Sequence, residues 1–242
     1  MNIILFDDIP SDSAVSCASE NHREIFEHLT KVLKVTPGQS IRMGVVNQSE
    51  GTAVITSVTD NRVSFEYTEQ AKPVLHPVTL LVAQVRPICM KRILREAVSL
   101  GVERIILTGS DTGEKSYLSS NLYKTGEYKW YLMEGAMQSG HAGMPRVLFT
   151  KTVSEAIALC PGDTLTSLVL PDNVCGAVPL REAQLNRKAV FAVGPERGWS
   201  DRERKLFIDG GYMPVLLGDR ILRTETACSA GLGILLSAMH LI

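Results

Sequence analysis

Two stretches near the C-terminus hold the side chains best suited to chemistry. One is Gly194-Pro195-Glu196-Arg197-Gly198-Trp199-Ser200, and the other is Leu217-Gly218-Asp219-Arg220-Ile221-Leu222-Arg223-Thr224-Glu225-Thr226-Ala227. The second sets two arginines, a glutamate and two threonines side by side. A guanidinium there can stabilise negative charge that develops in a reaction, and Glu196 or Glu225 can accept a proton. Part of the pattern has a structural reading: Glu225 stands where a helix dipole stabilises a carboxylate, Thr224 or Thr226 can cap that helix, and a plain turn before a helix would look like the first stretch. Packing alone does not call for Arg-Ile-Leu-Arg-Thr-Glu-Thr. The common phosphate loops are absent, with neither G-K-[ST] nor an early G-x-G-x-x-G.

Each stretch leads from a predicted strand into a predicted helix. Residues 189–193 form an apolar strand before Gly194-Pro195, where Pro195 fixes its own φ and Gly198 permits conformations closed to other residues. Ser200 and Glu203 spell a capping box, so a helix over 201–209 follows. Residues 213–217 predict a strand and 225–241 a helix whose small residues Ala227, Ser229, Ala230, Gly231 and Gly233 let a neighbour approach closely. In an open α/β sheet such loops lie beyond the carboxyl ends of the strands, where ligands bind.

The elements upstream support that architecture. Strand 79–85, helix 90–100 ended by Gly101, and strand 104–107 make a βαβ unit with a right-handed crossover. A polar loop (111–115), one long helix (119–137), strand 146–149, helix 153–160 and strand 165–170 continue the alternation. Residues 1–72 read differently. Helix 21–34 has Asn21 as its N-cap, and strands 40–46, 52–58 and 62–67 alternate apolar and polar residues, so with strand 3–6 they close a small β-barrel. Pro73 and Pro77 mark a linker, giving domains 1–72 and 73–242. His28, Lys31, Lys34 and Arg42 either face phosphates or are solvated surface charges.

The chain has 242 residues, 45% hydrophobic and 21% charged, and a net charge of -1, which describes an ordinary globular protein and leaves any basic patch to local clustering. Its five cysteines are scattered without a C-x-x-C pair, which suggests neither a disulfide framework nor a zinc site but a reducing compartment. The N-terminus has no basic region and too short an apolar run for a signal peptide, and the apolar stretch 227–242 is shorter than a bilayer span and carries Ser229, Ser237 and His240. A cytoplasmic protein with no metal and no membrane association is expected.

The pair Gly194-Pro195-Glu196-x-Gly198 and Leu217-Gly218-x-Arg220-Ile221-Leu222-Arg223-Thr224-Glu225-Thr226-Ala227 resembles the bacterial family of 16S ribosomal RNA N3-methyluridine methyltransferases, a branch of the SPOUT superfamily. Weaker similarity covers nearly the whole chain. The resemblance implies an α/β fold: a parallel sheet flanked by helices, its C-terminal part threaded into a trefoil knot, behind a small PUA-like RNA-binding barrel. It further implies S-adenosylmethionine held in the knotted loops, a homodimer, and ribosomal RNA or an assembled small ribosomal subunit as partner. Carried onto this chain, the cofactor falls to Leu170, Gly194, Pro195, Glu196, Leu217, Gly218, Ile221, Leu222 and Thr226. Catalysis falls to Arg223 and Glu225. Family members have a second glycine where Arg197 stands, a basic residue near the start, a lysine where Glu96 stands and, in the Glu-Gln-Ser-x-Arg stretch that 134–141 resembles, an arginine that this chain lacks. Arg92, Arg95, Lys115 and Arg197 are the compensating charges, with Arg92, Lys115 and Arg197 assigned to substrate. A non-catalytic ribosome-assembly factor and a metabolic α/β enzyme are the competing readings.

Overall fold

Alternating apolar residues roll the N-terminal strands around one small core. The computed structural model describes residues 2–20, 22–175 and 178–242, in two units, Met1–Val74 with Ala136–Met144 and Leu75–Gly135 with Pro145–Ile242. The first contains β1 (Ile4–Phe6), β2 (Ala14–Ser16), α1 (Arg23–Glu27), β3 (Ser40–Val45), β4 (Ser49–Val58) and β5 (Arg62–Ala71). Its sheet runs β1-β3-β4-β5-β2, parallel only between β1 and β3. Met43, Ala53, Ile55, Val63 and Phe65 point inward and pack with Phe26 and Leu29 from the helical segment. The sheet is a curled half-barrel rather than the closed barrel expected: β1 and β2 are its two edges, each three residues long, and such short edges expose little unpaired backbone. β2 lies between the expected strand 3–6 and helix 21–34, where the sequence assigns no element. α1 continues as a π-helical turn, His28–Val32, and its expected N-cap, Asn21, lies outside the described residues.

The second unit is built on a seven-stranded sheet in which every pairing is parallel. Its elements are β6 (His76–Ala83), α2 (Pro87–Ser99), β7 (Val102–Thr108), α3 (Asn121–Lys124), α4 (Tyr128–Ser139), β8 (Arg146–Thr150), α5 (Val153–Ala158), β9 (Thr166–Pro171), β10 (Val178–Pro179), β11 (Lys188–Val193), α6 (Asp201–Asp209), β12 (Met213–Leu216) and α7 (Thr224–Ala238). The order is β10-β12-β9-β11-β6-β7-β8. Central strands β6 and β11 are buried almost throughout, as expected of strands covered on both faces. From β6 the chain builds outward through β7 to β8. Later strands β11, β9 and β12 fill the other side, and β12 inserts between β9 and the earlier β10.

One expectation fails in this unit. The single helix over 119–137 is instead a 3-10 turn (Lys115–Ser119), α3 and α4. Gly126 sits at φ +77°, a left-handed conformation that no continuing helix contains, and it ends the α3 segment. The short strand β10 and the 3-10 turn Leu180–Glu182 also lie in a region the sequence leaves blank. Among the described residues no helix is long and apolar enough to cross a membrane.

α7 packs against α2, against the Leu180–Glu182 turn and against β11. A glycine makes the last contact possible. A Cβ on Gly231 would stand 2.4 Å from Cζ of Phe191, which is fully buried in β11. Gly231→Ala should therefore overpack this seam and destabilise the protein by about 1–3 kcal/mol, measured by urea denaturation. An unchanged midpoint would show that the helix shifts freely.

Candidate functional site

The loops after β9, β11 and β12 meet at the carboxyl ends of their strands and enclose a cavity of about 350 Å³. The loop after β11 supplies Gly194, Pro195, Glu196 and Arg197, and the loop after β12 supplies Leu217, Gly218, Ile221 and Leu222. Thr224 and Ala227, from the first turn of α7, complete that side. The two motifs, some twenty residues apart in sequence, thus share one cavity.

Local chemistry holds the loops in place. Gly198 at φ +69° lets its N–H donate to the Pro195 carbonyl at 2.8 Å, closing a tight turn. Thr112 Oγ1 clasps that turn from outside, donating to the Gly198 carbonyl at 2.6 Å. Thr224, buried at the start of α7, donates its hydroxyl to the Gly194 carbonyl at 3.1 Å and so ties the second motif to the first. The capping box is present: Ser200 Oγ accepts from Glu203 N while Glu203 accepts from Ser200 N.

A third wall escaped the sequence reading. Pro171 at the end of β9 and Asp172, Asn173 and Val174 after it line the cavity together with Trp199 and Arg204. Asp172 accepts from the backbone N–H groups of Val174 and Cys175 at 2.8 and 3.2 Å, and from Arg204 Nε at 2.9 Å. Its side chain is only 3% exposed and that of Arg204 14%, so the pair is shielded from water. A signal for this wall was available, since Pro171-Asp172-Asn173 ends an apolar strand just as the other two loops do.

The structure disperses some expected site residues. Leu170 is fully buried inside β9, one residue before the lining begins, and Thr226 is exposed on α7 beside Thr224 and Ala227, which do line the cavity. Arg223 occupies the N-cap position of α7, exposed, and no described hydrogen bond or ion pair engages its side chain. Glu225 stands near α2, close enough to the Cys89 thiol to act on its ionisation. Burial pushes the pKa of that thiol up, and the Glu225 charge adds to the shift. Ser229 on the same face donates to Glu96, whose own pKa is raised by burial against the opposing pull of Arg92. Glu196 stays at the cavity, accepting from the Arg86 N–H at 3.2 Å. Of the substrate assignments, Arg197 lines this cavity, Arg92 is exposed on α2, and Lys115 lines a different cavity.

The lining suits a ligand that is part apolar and part polar. Ile221 is 85% exposed, an apolar side chain held at the cavity with nothing covering it, and the Trp199 indole N–H, buried in the wall, has no partner among the described residues. Gly218 has open space where a Cβ would stand. The N-terminal turn of α7 adds the positive end of a helix dipole.

Comparison with known proteins gives this cavity its context. Residues 71–236 match the model of a family described as an RNA methyltransferase domain. Ribosomal RNA small subunit methyltransferase E of Treponema pallidum is 34% identical over 251 residues, covering 99% of this chain and 92% of the relative. The chain belongs to this RNA methyltransferase family. Solved structures share its fold. The methyltransferase E of Neisseria gonorrhoeae, bound to S-adenosyl methionine, superposes with TM-score 0.78 at 24% identity over 98% of this chain and 97% of that one. A probable rRNA-methyltransferase from Porphyromonas gingivalis reaches 0.79 at 18% identity over 99% of both.

The ion pairs that brace these loops can be tested in two ways. Asp172→Ala removes the main partner of a shielded arginine and the acceptor for two backbone N–H groups, so stability should fall by about 3 kcal/mol in urea denaturation. The second concerns acid. Asp111 is held below the usual carboxylate range by its bidentate hydrogen bonds from Arg202, then by the Ser200 hydroxyl. A folded pKa below the unfolded one means the clasp stabilises the protein fully above the unfolded value and is lost as pH falls through the folded one. Arg202→Gln should shrink the loss of melting temperature between pH 6 and pH 3; an identical loss in both proteins would remove Asp111 from the acid response.

Proposed function

We propose that the protein is an S-adenosylmethionine-dependent methyltransferase that modifies N3 of a uridine in small-subunit ribosomal RNA. One observation carries the reading: in a chain of the RNA methyltransferase family, both motif loops converge on one cavity at the carboxyl ends of three parallel strands. The cofactor, when bound, supplies an electrophilic methyl group. Gly194, Pro195, Leu217, Ile221 and Leu222 would hold its adenine between apolar surfaces and backbone groups. The first turn of α7 would receive its carboxylate, and Glu196 would face its positive charge. Leu170 would support this cradle from just behind the lining, and Thr226 is assigned to the cofactor from the exposed first turn of α7.

Uridine N3 carries an imide proton, so methylation there requires its removal while charge develops on the flanking carbonyl oxygens. Arg223 is the residue assigned to that charge, since its guanidinium is exposed at the mouth of the second motif and engaged by no described partner. Glu225 faces α2 and is assigned to positioning the start of α7, which leaves Glu196 as the carboxylate nearer the cavity. Arg197, Arg92 and Lys115 are assigned to RNA phosphates. The half-barrel of the first unit, as a PUA-like domain, is assigned to binding RNA outside the reacting nucleotide. A trefoil threading of β12 agrees with its place between β9 and β10, and a homodimer through the face of α7 that bears Ala230 and Ser237 completes the proposal, set in the cytoplasm.

Labelled methyl transfer to small ribosomal subunits, followed by mass mapping of the RNA, tests the reaction and names the base. Arg223→Ala should leave S-adenosylmethionine affinity within a few-fold by calorimetry while methyl transfer falls by about a hundredfold or more. Unchanged turnover would remove Arg223 from the reaction, and failure of wild-type protein to bind the cofactor at millimolar concentration would end the methyltransferase reading.

A further inference from the structure

The larger cavity of the second unit is not the one at the motif loops. A space of about 970 Å³ opens at the carboxyl ends of β6, β7 and β8, on the opposite side of the Gly198–Glu203 segment. Its wall is aromatic. Phe149 meets Tyr123 and Tyr128 edge-on, at ring centroid distances of 5.4 Å in both cases, and Tyr123 and Tyr128 are themselves 6.3 Å apart. Phe149 remains 45% exposed, so this cluster is not a finished core.

Three polar side chains line the same space without a hydrogen-bond partner among the described residues: Gln84 through Nε2, Ser110 through Oγ and Thr150 through Oγ1. Gln84 is 2% exposed and Thr150 7%. The Tyr123 hydroxyl, whose pKa burial raises, donates to Gln84 Oε1 at 2.6 Å, which fixes the carboxamide and leaves its amino group unspent. Each such orphan is costly, and three along one cavity mark groups that a ligand would satisfy. Charge follows the same logic. Asp111 is neutralised by Arg202 and Glu203 is taken up by backbone N–H groups, which leaves Glu114 as the one carboxylate of the lining outside the described ion pairs, against three lysines. Lys115, Lys124 and Lys151 are exposed around the cavity and enter none of the described ion pairs.

Flat aromatic surfaces, amide and hydroxyl groups below them, and unpaired ammonium groups around them suit a base joined to a phosphate. A purely apolar ligand would leave the orphans unmet, and a phosphate or sugar alone would leave the rings bare. We propose that this cavity binds a nucleotide, with its base against Phe149 and Tyr128, a base edge on Gln84, Ser110 and Thr150, and its phosphate among the three lysines. It is a second nucleotide site, separate from the base that is methylated, and it does not depend on the methyl-transfer reading. The source is either an unpaired nucleotide in an RNA strand or a free mononucleotide.

The full chain tests this directly. Fluorescence anisotropy with a labelled single-stranded RNA of about ten nucleotides should show Phe149→Ala binding about tenfold more weakly than wild type, the loss expected for one base–aromatic stack. Lys151→Ala, an exposed change, should make the salt dependence of RNA binding shallower by about 0.7 in the logarithmic slope. Both variants should stay folded and keep wild-type S-adenosylmethionine affinities, Lys151→Ala with the wild-type melting temperature and Phe149→Ala with a lower one, since it gives up two ring contacts. Calorimetry with uridine and adenosine 5′-monophosphates separates the sources: binding that Phe149→Ala abolishes assigns free nucleotides, whereas a loss seen only with RNA assigns the strand. Equal RNA and mononucleotide binding by wild type and Phe149→Ala, or no binding of either by wild type, overturns the proposal. Methyl transfer that fails while these differences hold bears on the proposed function alone.

Discussion

The carboxylate of Glu203 is 1% exposed and spends both oxygens on backbone N–H groups: Oε2 on Ser200 at 2.9 Å and Oε1 on Asp111 at 2.8 Å. The first bond starts α6 and thereby ends the loop after β11. The second reaches across to the loop after β7. Asp111 then returns the contact through Ser200 and Arg202, and Thr112 through Gly198. A buried carboxylate is tolerated only when such donors meet it, so this crossing either forms complete or costs the protein dearly. Both cavities depend on it, because the segment it fixes is the partition between them.

On one side of the partition the chain has turned backbone and glycine toward a cavity, and on the other it has turned aromatic rings and lysines. The first side is the product of close approach. Gly194 and Thr224 join two loops, and Gly231 brings α7 against Phe191. The second is the product of incomplete burial: rings that touch one another without filling the space, and polar groups that find no partner in the protein. One parallel sheet offers both because every strand delivers its carboxyl end to the same side.

Sequence made the first cavity legible and left the second almost invisible. Gly194-Pro195, Gly198 and the Ser200–Glu203 box are local signals whose geometry follows from residues within one turn, and they are present as expected. The alternation of strands and helices also reads locally. The wall after β9 was missed because Asp172 acquires its meaning only from Arg204, thirty-two residues on. The same holds for Phe149, Gln84 and Tyr123: each is an unremarkable residue in its own element, and only the order β6-β7-β8 sets them together. The long helix over 119–137 failed for a more modest reason, since periodicity across Gly126 outweighed the conformational freedom of a single glycine.

The position of β12 carries a consequence for how the molecule comes into being. β10 pairs with β12 and β12 with β9, so β10 has no place in the sheet until a strand made more than thirty residues later has slipped in beside it. The first cavity is closed later still, by Thr224 at the start of the last helix. During synthesis the sheet around β6, β7 and β8 can therefore assemble while the first cavity is still missing its wall. A nascent chain released before residue 224 would own the cavity beside Phe149 and not the one beside Gly194.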